Sequence, residues 1–311
     1  MKSIQGKLLL FLRGVAMGAV DLVPGISAGT IALVTGIYEE LIDSIKSFNL
    51  DALKILKNQG FSAVWRHING EFLLILMSGI LFSLFTLAGV MNYLLDAFPL
   101  QLWSFFIGLI IASVIYLLRQ HPPKRCLEVC LLGAGILAAY SLSVSPVVAI
   151  EGGYISLFFA GSIALCAMIL PGISGSFILV LLGLYPLFIK ALVNVEMGFL
   201  LTFAAGGAIG LMLFSRVLSW LLNHCKHAVI ATMSGFLIGS LSVLWPWKQI
   251  ASSMVNQSGK LLVTGSVNLT PQGYMNIVGQ DPQTLACILL FLAGLFVVLI
   301  VEIVSLRLKS K

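Results

Sequence analysis

Residues 24–42, PGISAGTIALVTGIYEELI, return at 171–189 as PGISGSFILVLLGLYPLFI, and each copy interrupts an otherwise apolar stretch. Eight of these 19 positions are identical: Pro24/Pro171, Gly25/Gly172, Ile26/Ile173, Ser27/Ser174, Ile31/Ile178, Gly36/Gly183, Tyr38/Tyr185 and Ile42/Ile189. Apolar helices resemble one another by chance, but matches at Pro, Gly, Ser and Tyr do not come from shared hydrophobicity. The chain must therefore fold around one interrupted element used twice.

The solvent for that fold is a bilayer. Of 311 residues, 59% are apolar and 10% charged, against about a quarter charged in soluble domains. Apolar segments fall at 8–45 (interrupted), 71–92, 100–118, 127–149, 153–192 (interrupted), 198–222, 228–247 and 284–307, and about 20 residues span the hydrocarbon. Lys2 and Lys7 before an apolar run imitate a signal peptide, a reading rejected because the following segment reappears later. The net charge of +6 sits in short loops between spans, so it reads as an orientation signal and not as a nucleic-acid surface. The Cys126/Cys130 pair lacks the further ligands a zinc site needs, and no metal or cofactor is expected.

The sequence predicts an all-α polytopic membrane protein with two repeats, 1–150 and 151–311, each a broken hairpin followed by three spans. Weaker matches extend the repeat: Phe72-Leu73-Leu74 with Gly79 to Phe199-Leu200-Leu201 with Gly206, and Phe105 to Gly108 with Phe236 to Gly239. An amphipathic insert at 47–70 is expected on the membrane surface. A second insert, 248–283, follows Trp245-Pro246-Trp247 and carries strand-like and turn residues from Val263 to Ile277. A hairpin returns to the side it entered, so three further spans give odd parity and an inverted-topology repeat. Following that parity, fifteen Lys and Arg residues fall on the side of the N-terminus and only Lys190, Lys248 and Lys260 on the other. The positive-inside rule then makes both termini cytoplasmic.

Proline suits the first turn of a helix and not its interior. Pro24 and Pro171 are thus expected to end one half-helix and begin another, leaving N–H groups and the positive end of a dipole in the break. Such ends suit an anion, phosphate above all. Ser27, Thr30, Ser174 and Ser176 add hydroxyls, while Gly25, Gly29, Gly172 and Gly175 allow close backbone approach. The same small residues also serve simple helix packing, and the duplication favours a binding site.

Charges within membrane segments are functional candidates. Arg13 and Asp21 lie about two turns apart, and either serve the substrate or, respectively, snorkel and cap the break. Arg216 is a second candidate cation. Glu39 and Glu40 are weaker candidates beside Asp21 for coupling an ion, and Glu151 and Glu302 are weaker still.

The stretch Arg13-Gly14 through Met17-Gly18, Asp21 and Val23 to Thr30 resembles the signature of the DUF368 family of bacterial polyprenyl-phosphate transporters, and the second Pro-Gly-Ile-Ser resembles that family's second hairpin. Ala28 stands where glycine is expected. The resemblance implies a non-enzymatic flippase of the bacterial inner membrane, returning undecaprenyl phosphate from the outer to the inner leaflet. Two rivals remain at this stage. A transporter of a small soluble anion would show a closed polar vestibule. A serine hydrolase is suggested by Gly25-Ile-Ser-Ala-Gly29 and Gly172-Ile-Ser-Gly175, but needs a base near the serine. All four histidines fall in loops or at helix ends.

Overall fold

The interrupted segments do not close as simple helical hairpins; each is cut twice. The structure, a computed structural model, describes residues 4–23, 27–145, 147, 148, 150, 153–255 and 261–309, with side chains omitted at 250–255, 261–266 and 301–309. Pro24, Gly25, Ile26, Glu151 and Lys260 lie outside the described residues, and the side chain of Glu302 is likewise not described. The first segment holds α1 (Ile4–Asp21), α2 (Ala28–Val34) and α3 (Tyr38–Lys46). The additional break between α2 and α3 turns at Gly36, whose φ of 74° favours glycine. The insert forms two short helices, α4 (Leu50–Gln59) and α5 (Phe61–His67), which expose Leu53, Leu56 and Phe61. Three spans follow: α6 (Gly70–Ala97), α7 (Pro99–Gln120) and α8 (Cys126–Val144).

The second half repeats this plan with α9 (Tyr154–Ile169), α10 (Gly175–Leu181), α11 (Tyr185–Val193), α12 (Met197–His224) and α13 (Lys226–Leu244). Gly183, with φ of 68°, makes its extra break, and α10 and α11 meet at 114°. The 248–283 insert departs from an all-helical plan. Strands β1 (Lys248–Val255) and β2 (Leu261–Asn268) pair antiparallel, Lys248 opposite Asn268 and Val255 opposite Leu261, and α14 (Pro271–Val278) follows. Trp247 anchors this insert by donating from Nε1 to the Pro282 carbonyl at 2.8 Å. Lys248 is partly buried beside it, which lowers its ammonium to about 8. The last helix, α15 (Thr284–Lys309), completes the chain. Among the described residues α6, α7, α8, α12 and α13 are long and apolar enough to cross a membrane, so the chain is an α-helical polytopic membrane protein with a small β-hairpin added.

Packing follows the repeat. In the first half α1 lies along α6, and in the second α9 lies along α12. Gly14 and Gly79 meet at the first crossing, where a Cβ on either would strike backbone of the opposite helix; Gly161 and Gly206 are in the same position at the second. Small residues allow this approach where lipid supplies no hydrophobic drive between helices. The remaining spans pair across the halves, α7 with α15 and α8 with α13. Gly108 faces the Phe291 carbonyl, and Gly239 faces that of Ile136.

Polar ties gather at one end of the bundle. Lys7 pairs with Glu71 at 2.5 Å, Asn69 donates to Glu40 at 2.9 Å and Lys226 pairs with Glu39 at 2.5 Å. Ser219 donates to Asp43 at 2.7 Å and accepts from Lys46 at 3.0 Å. His121 lies at the same end, its ring 5.4 Å from that of His227; burial, then nearby Lys226, lowers its pKa.

Candidate substrate site at the two broken hairpins

The breaks of the two halves touch. Ser27 caps α2 with extended backbone, and its Oγ accepts the Gly29 N–H at 3.1 Å and donates to the Met168 carbonyl of α9 at 2.6 Å. Tyr38, on the far side of α2, donates to the Ile169 carbonyl at 3.2 Å. Gly29 allows the approach: a Cβ there would overlap the Ile169 carbonyl. Together these contacts join α2 to the final turn of α9.

Among the described residues, the N–H groups at the start of α2 have acceptors close by. The Asp21 carboxylate lies near the Ala28 N–H, Ser27 Oγ takes that of Gly29 and the Ser27 carbonyl takes that of Thr30. Ser27 is the residue that caps α2, and its single hydroxyl proton is committed inside the protein. Thr30 is different. It is fully buried, and its Oγ1 has no hydrogen-bond partner among the described residues. Ser83, packed beside Gly18 of α1, and Ser234, two residues from Phe236, share that property.

At the second break Ser174 begins α10 without a side-chain cap. Its hydroxyl lies 2.9 Å from that of Ser176, which is exposed. Gly172 takes φ of 84° and presses on the backbone of Phe236, 2.8 Å from where a Cβ would stand; Gly175 packs on the Ala164 carbonyl. A cavity of about 20 Å³ adjoins Gly172, Ser174, Phe177 and Ser240, room for one water molecule.

The larger space flanks the first hairpin. A cavity of about 440 Å³ is lined by Val20, Ile31, Thr35, Leu94, Phe106, Ser113 and Val298, among other apolar residues. It lies between the α1–α6 pair and the α7–α15 pair. Its two lining hydroxyls turn away, Thr35 donating to the Ile31 carbonyl at 2.7 Å and Ser113 to that of Leu109 at 2.6 Å. Its walls are therefore wholly apolar.

The charged candidates are dispersed. Arg13 is partly buried on α1, within the field of Glu40, and eight residues place it about 12 Å along the helix from Asp21. Among the described residues it forms no ion pair with Asp21. Arg216 is exposed on α12, with no hydrogen bond or ion pair among the described residues. Glu39 and Glu40, candidate coupling groups, join α3 to α13 and to the start of α6. Sequence reasoning missed the acceptors Met168 and Ile169, since a backbone carbonyl carries no side-chain signal. Tyr38 was visible as a repeat identity without a role.

Known proteins resemble this chain over most of its length. A family model described as VCA0040-like, undecaprenyl phosphate translocase-like, matches residues 17–262. A polyprenyl-phosphate transporter of Vibrio cholerae serotype O1 is 44% identical over 292 residues, covering 94% of this chain and 95% of the relative. A polyprenyl-phosphate transporter of Staphylococcus aureus is 33% identical over 261 residues, covering 78% and 87%. No solved structure matches. Both relatives carry names for transport and not for catalysis. With the match extending over most of its length, this chain belongs to the undecaprenyl phosphate translocase-like family.

Proposed function

We propose that the chain carries a polyprenyl phosphate across the bacterial inner membrane, from the outer to the inner leaflet, with both termini cytoplasmic. One observation carries the reading: a wholly apolar cavity flanks the first hairpin, lined by Val20 and Ile31 from either side of its break. The phosphate belongs at the breaks, near Thr30, Ser174 and Ser176, with Gly25, Gly29, Gly172 and Gly175 admitting close approach. The prenyl chain belongs in the cavity, whose side wall includes Val297, 42% exposed toward lipid. A soluble anion would find no donor in that cavity, which disfavours the rival reading. The paired contacts α1–α6 and α9–α12 support a repeat at 1–150 and 151–311, inverted as the basic residues require.

Arg13 and Arg216 are the candidate cations for the phosphate, Arg13 favoured by its position on the first hairpin. Inward movement of the anion opposes an inside-negative potential by about 2.3 kcal/mol per charge per 100 mV, so we propose coupling to a cation, most simply a proton. Asp21 is the leading carrier. Its carboxylate lies beside the first break, near the Ala28 N–H, where protonation would remove a negative charge from the path of an incoming phosphate. Glu39 and Glu40 are secondary, because their present partners lie elsewhere.

Proteoliposomes containing labelled polyprenyl phosphate test the function by its accessibility on each leaflet. The expected result is protein-dependent movement of the lipid with none of inorganic phosphate; the reverse selectivity would favour the soluble-anion reading. In the same vesicles Asp21→Asn should transport at a rate indifferent to an imposed pH gradient. An Asn variant that still concentrates lipid in response to the gradient removes Asp21 as the carrier.

A further inference from the structure

The two halves share a register but not a conformation. Three elements repeat with constant offsets: 28–34 with 175–181, 38–46 with 185–193, and 70–97 with 197–224. In the first half α3 crosses to the other repeat and packs along α12. Its seat is polar, with Ser219 donating to Asp43, Lys46 donating to Ser219 and Asn223 donating to the Ser219 carbonyl at 2.8 Å. The reciprocal contact would place α11 along α6. It is not made, and α11 rests on α12 of its own half.

The register identifies what that missing contact would contain. Asp43 corresponds to Lys190, Ser219 to Asn92 and Asn223 to Asp96. Asn92 and Asp96 stand one turn apart on α6 and so share a face, as Ser219 and Asn223 do on α12. All three, Lys190, Asn92 and Asp96, are exposed, and none makes a side-chain hydrogen bond or ion pair among the described residues. Their charges are complementary, with the cation on the hairpin and the anion on the span.

The apolar cavity borders this unused seat. Asn92 and Asp96 lie in the same stretch of α6 as the cavity residues Met91 and Leu94.

We propose that Lys190, Asn92 and Asp96 form the closing contact of a second conformation, in which α11 seats on α6 over the cavity while α3 leaves α12. The two repeats exchange roles, so only one seat is occupied at a time. This rests on the transporter reading for its purpose, but the contact itself is a statement about shape. Closing the cavity on the side of α11 and opening the side of α3 delivers the phosphate from one face of the membrane to the other.

Disulfide trapping in membrane vesicles tests it, on a chain whose cysteines 126, 130, 166, 225 and 287 are replaced by serine. Asp43→Cys with Ser219→Cys should cross-link readily without substrate. Lys190→Cys with Asn92→Cys should cross-link less, and more when Glu39→Lys repels Lys226 and weakens the first seat. Either cross-link should stop transport, and reduction should restore it. Independently, Asp96→Lys should slow transport about fivefold, the upper range for an exposed ion pair, with recovery in the Lys190→Asp/Asp96→Lys double variant. The proposal is overturned if the 190/92 pair never cross-links, even with Glu39→Lys, while 43/219 does so normally, or if the double variant fails to recover. Cross-linking needs no lipid, so it stands or falls apart from the substrate; failed trapping beside normal polyprenyl phosphate transport would remove this inference alone.

Discussion

Thr30→Val should raise the melting temperature of the purified protein and lower its transport rate. The two effects have opposite sign because the hydroxyl is a liability to the resting fold. Thr30 is fully buried, and its Oγ1 has no partner among the described residues. An unpaired buried hydroxyl costs about 1–3 kcal/mol, and valine removes it while keeping the branched shape, so no void opens. If the phosphate of the lipid is the missing partner, substitution forfeits a hydrogen bond to a charged group. That is worth about 1.5–3 kcal/mol, or roughly 10- to 100-fold in lipid affinity. Thr30→Ser keeps the hydroxyl and should retain most transport. A valine variant that melts lower would show that the hydroxyl serves the fold, and one that transports normally would remove Thr30 from the site.

Gly172→Val should deplete folded protein more than any substitution of a hydroxyl. Its φ of 84° lies in the left-handed region, and a Cβ would stand 2.8 Å from both the carbonyl carbon and oxygen of Phe236. Left-handed backbone costs roughly 1–2 kcal/mol for a residue with a side chain, and overpacking about 1–3 kcal/mol more. Both obstacles are main chain, so no rotamer relieves them. Size-exclusion chromatography of detergent extracts should show the monodisperse peak reduced several-fold. Gly89→Val, on an open face of α6 with nothing within 4 Å, is the control and should elute as the parent does. Equal recovery of the two would mean that the second break is not clamped against α13.

The breaks, the spans and the repeat were legible because each leaves a local signal: proline in an apolar run, hydrophobic length, and identity at constant offset. Spans expected at 71–92 and 198–222 emerge as Gly70–Ala97 and Met197–His224, each extended by a few residues at its ends. The second cut in each hairpin was harder to read. Gly36 and Gly183 were identities in the repeat, but a lone glycine inside a helical pattern is tolerated and only the backbone shows φ above zero. The β-hairpin of 248–268 was visible only as a short strand-like tendency, because its pairing depends on a partner strand. The fate of the site residues was least legible. Ser27 reaches a carbonyl 141 residues away, and Glu39 and Glu40 find partners on other helices. Chain separation of that kind leaves no trace in local spacing.

The brevity of α2 and α10 has a consequence for their independence. Each contains seven residues, about two turns, and a helix of that length does not hold together alone in water. Its helical form is owed to what it packs against. For α2 that support includes the other repeat, through Ser27 on the Met168 carbonyl and Gly29 against that of Ile169, so separating the two breaks would loosen α2 itself.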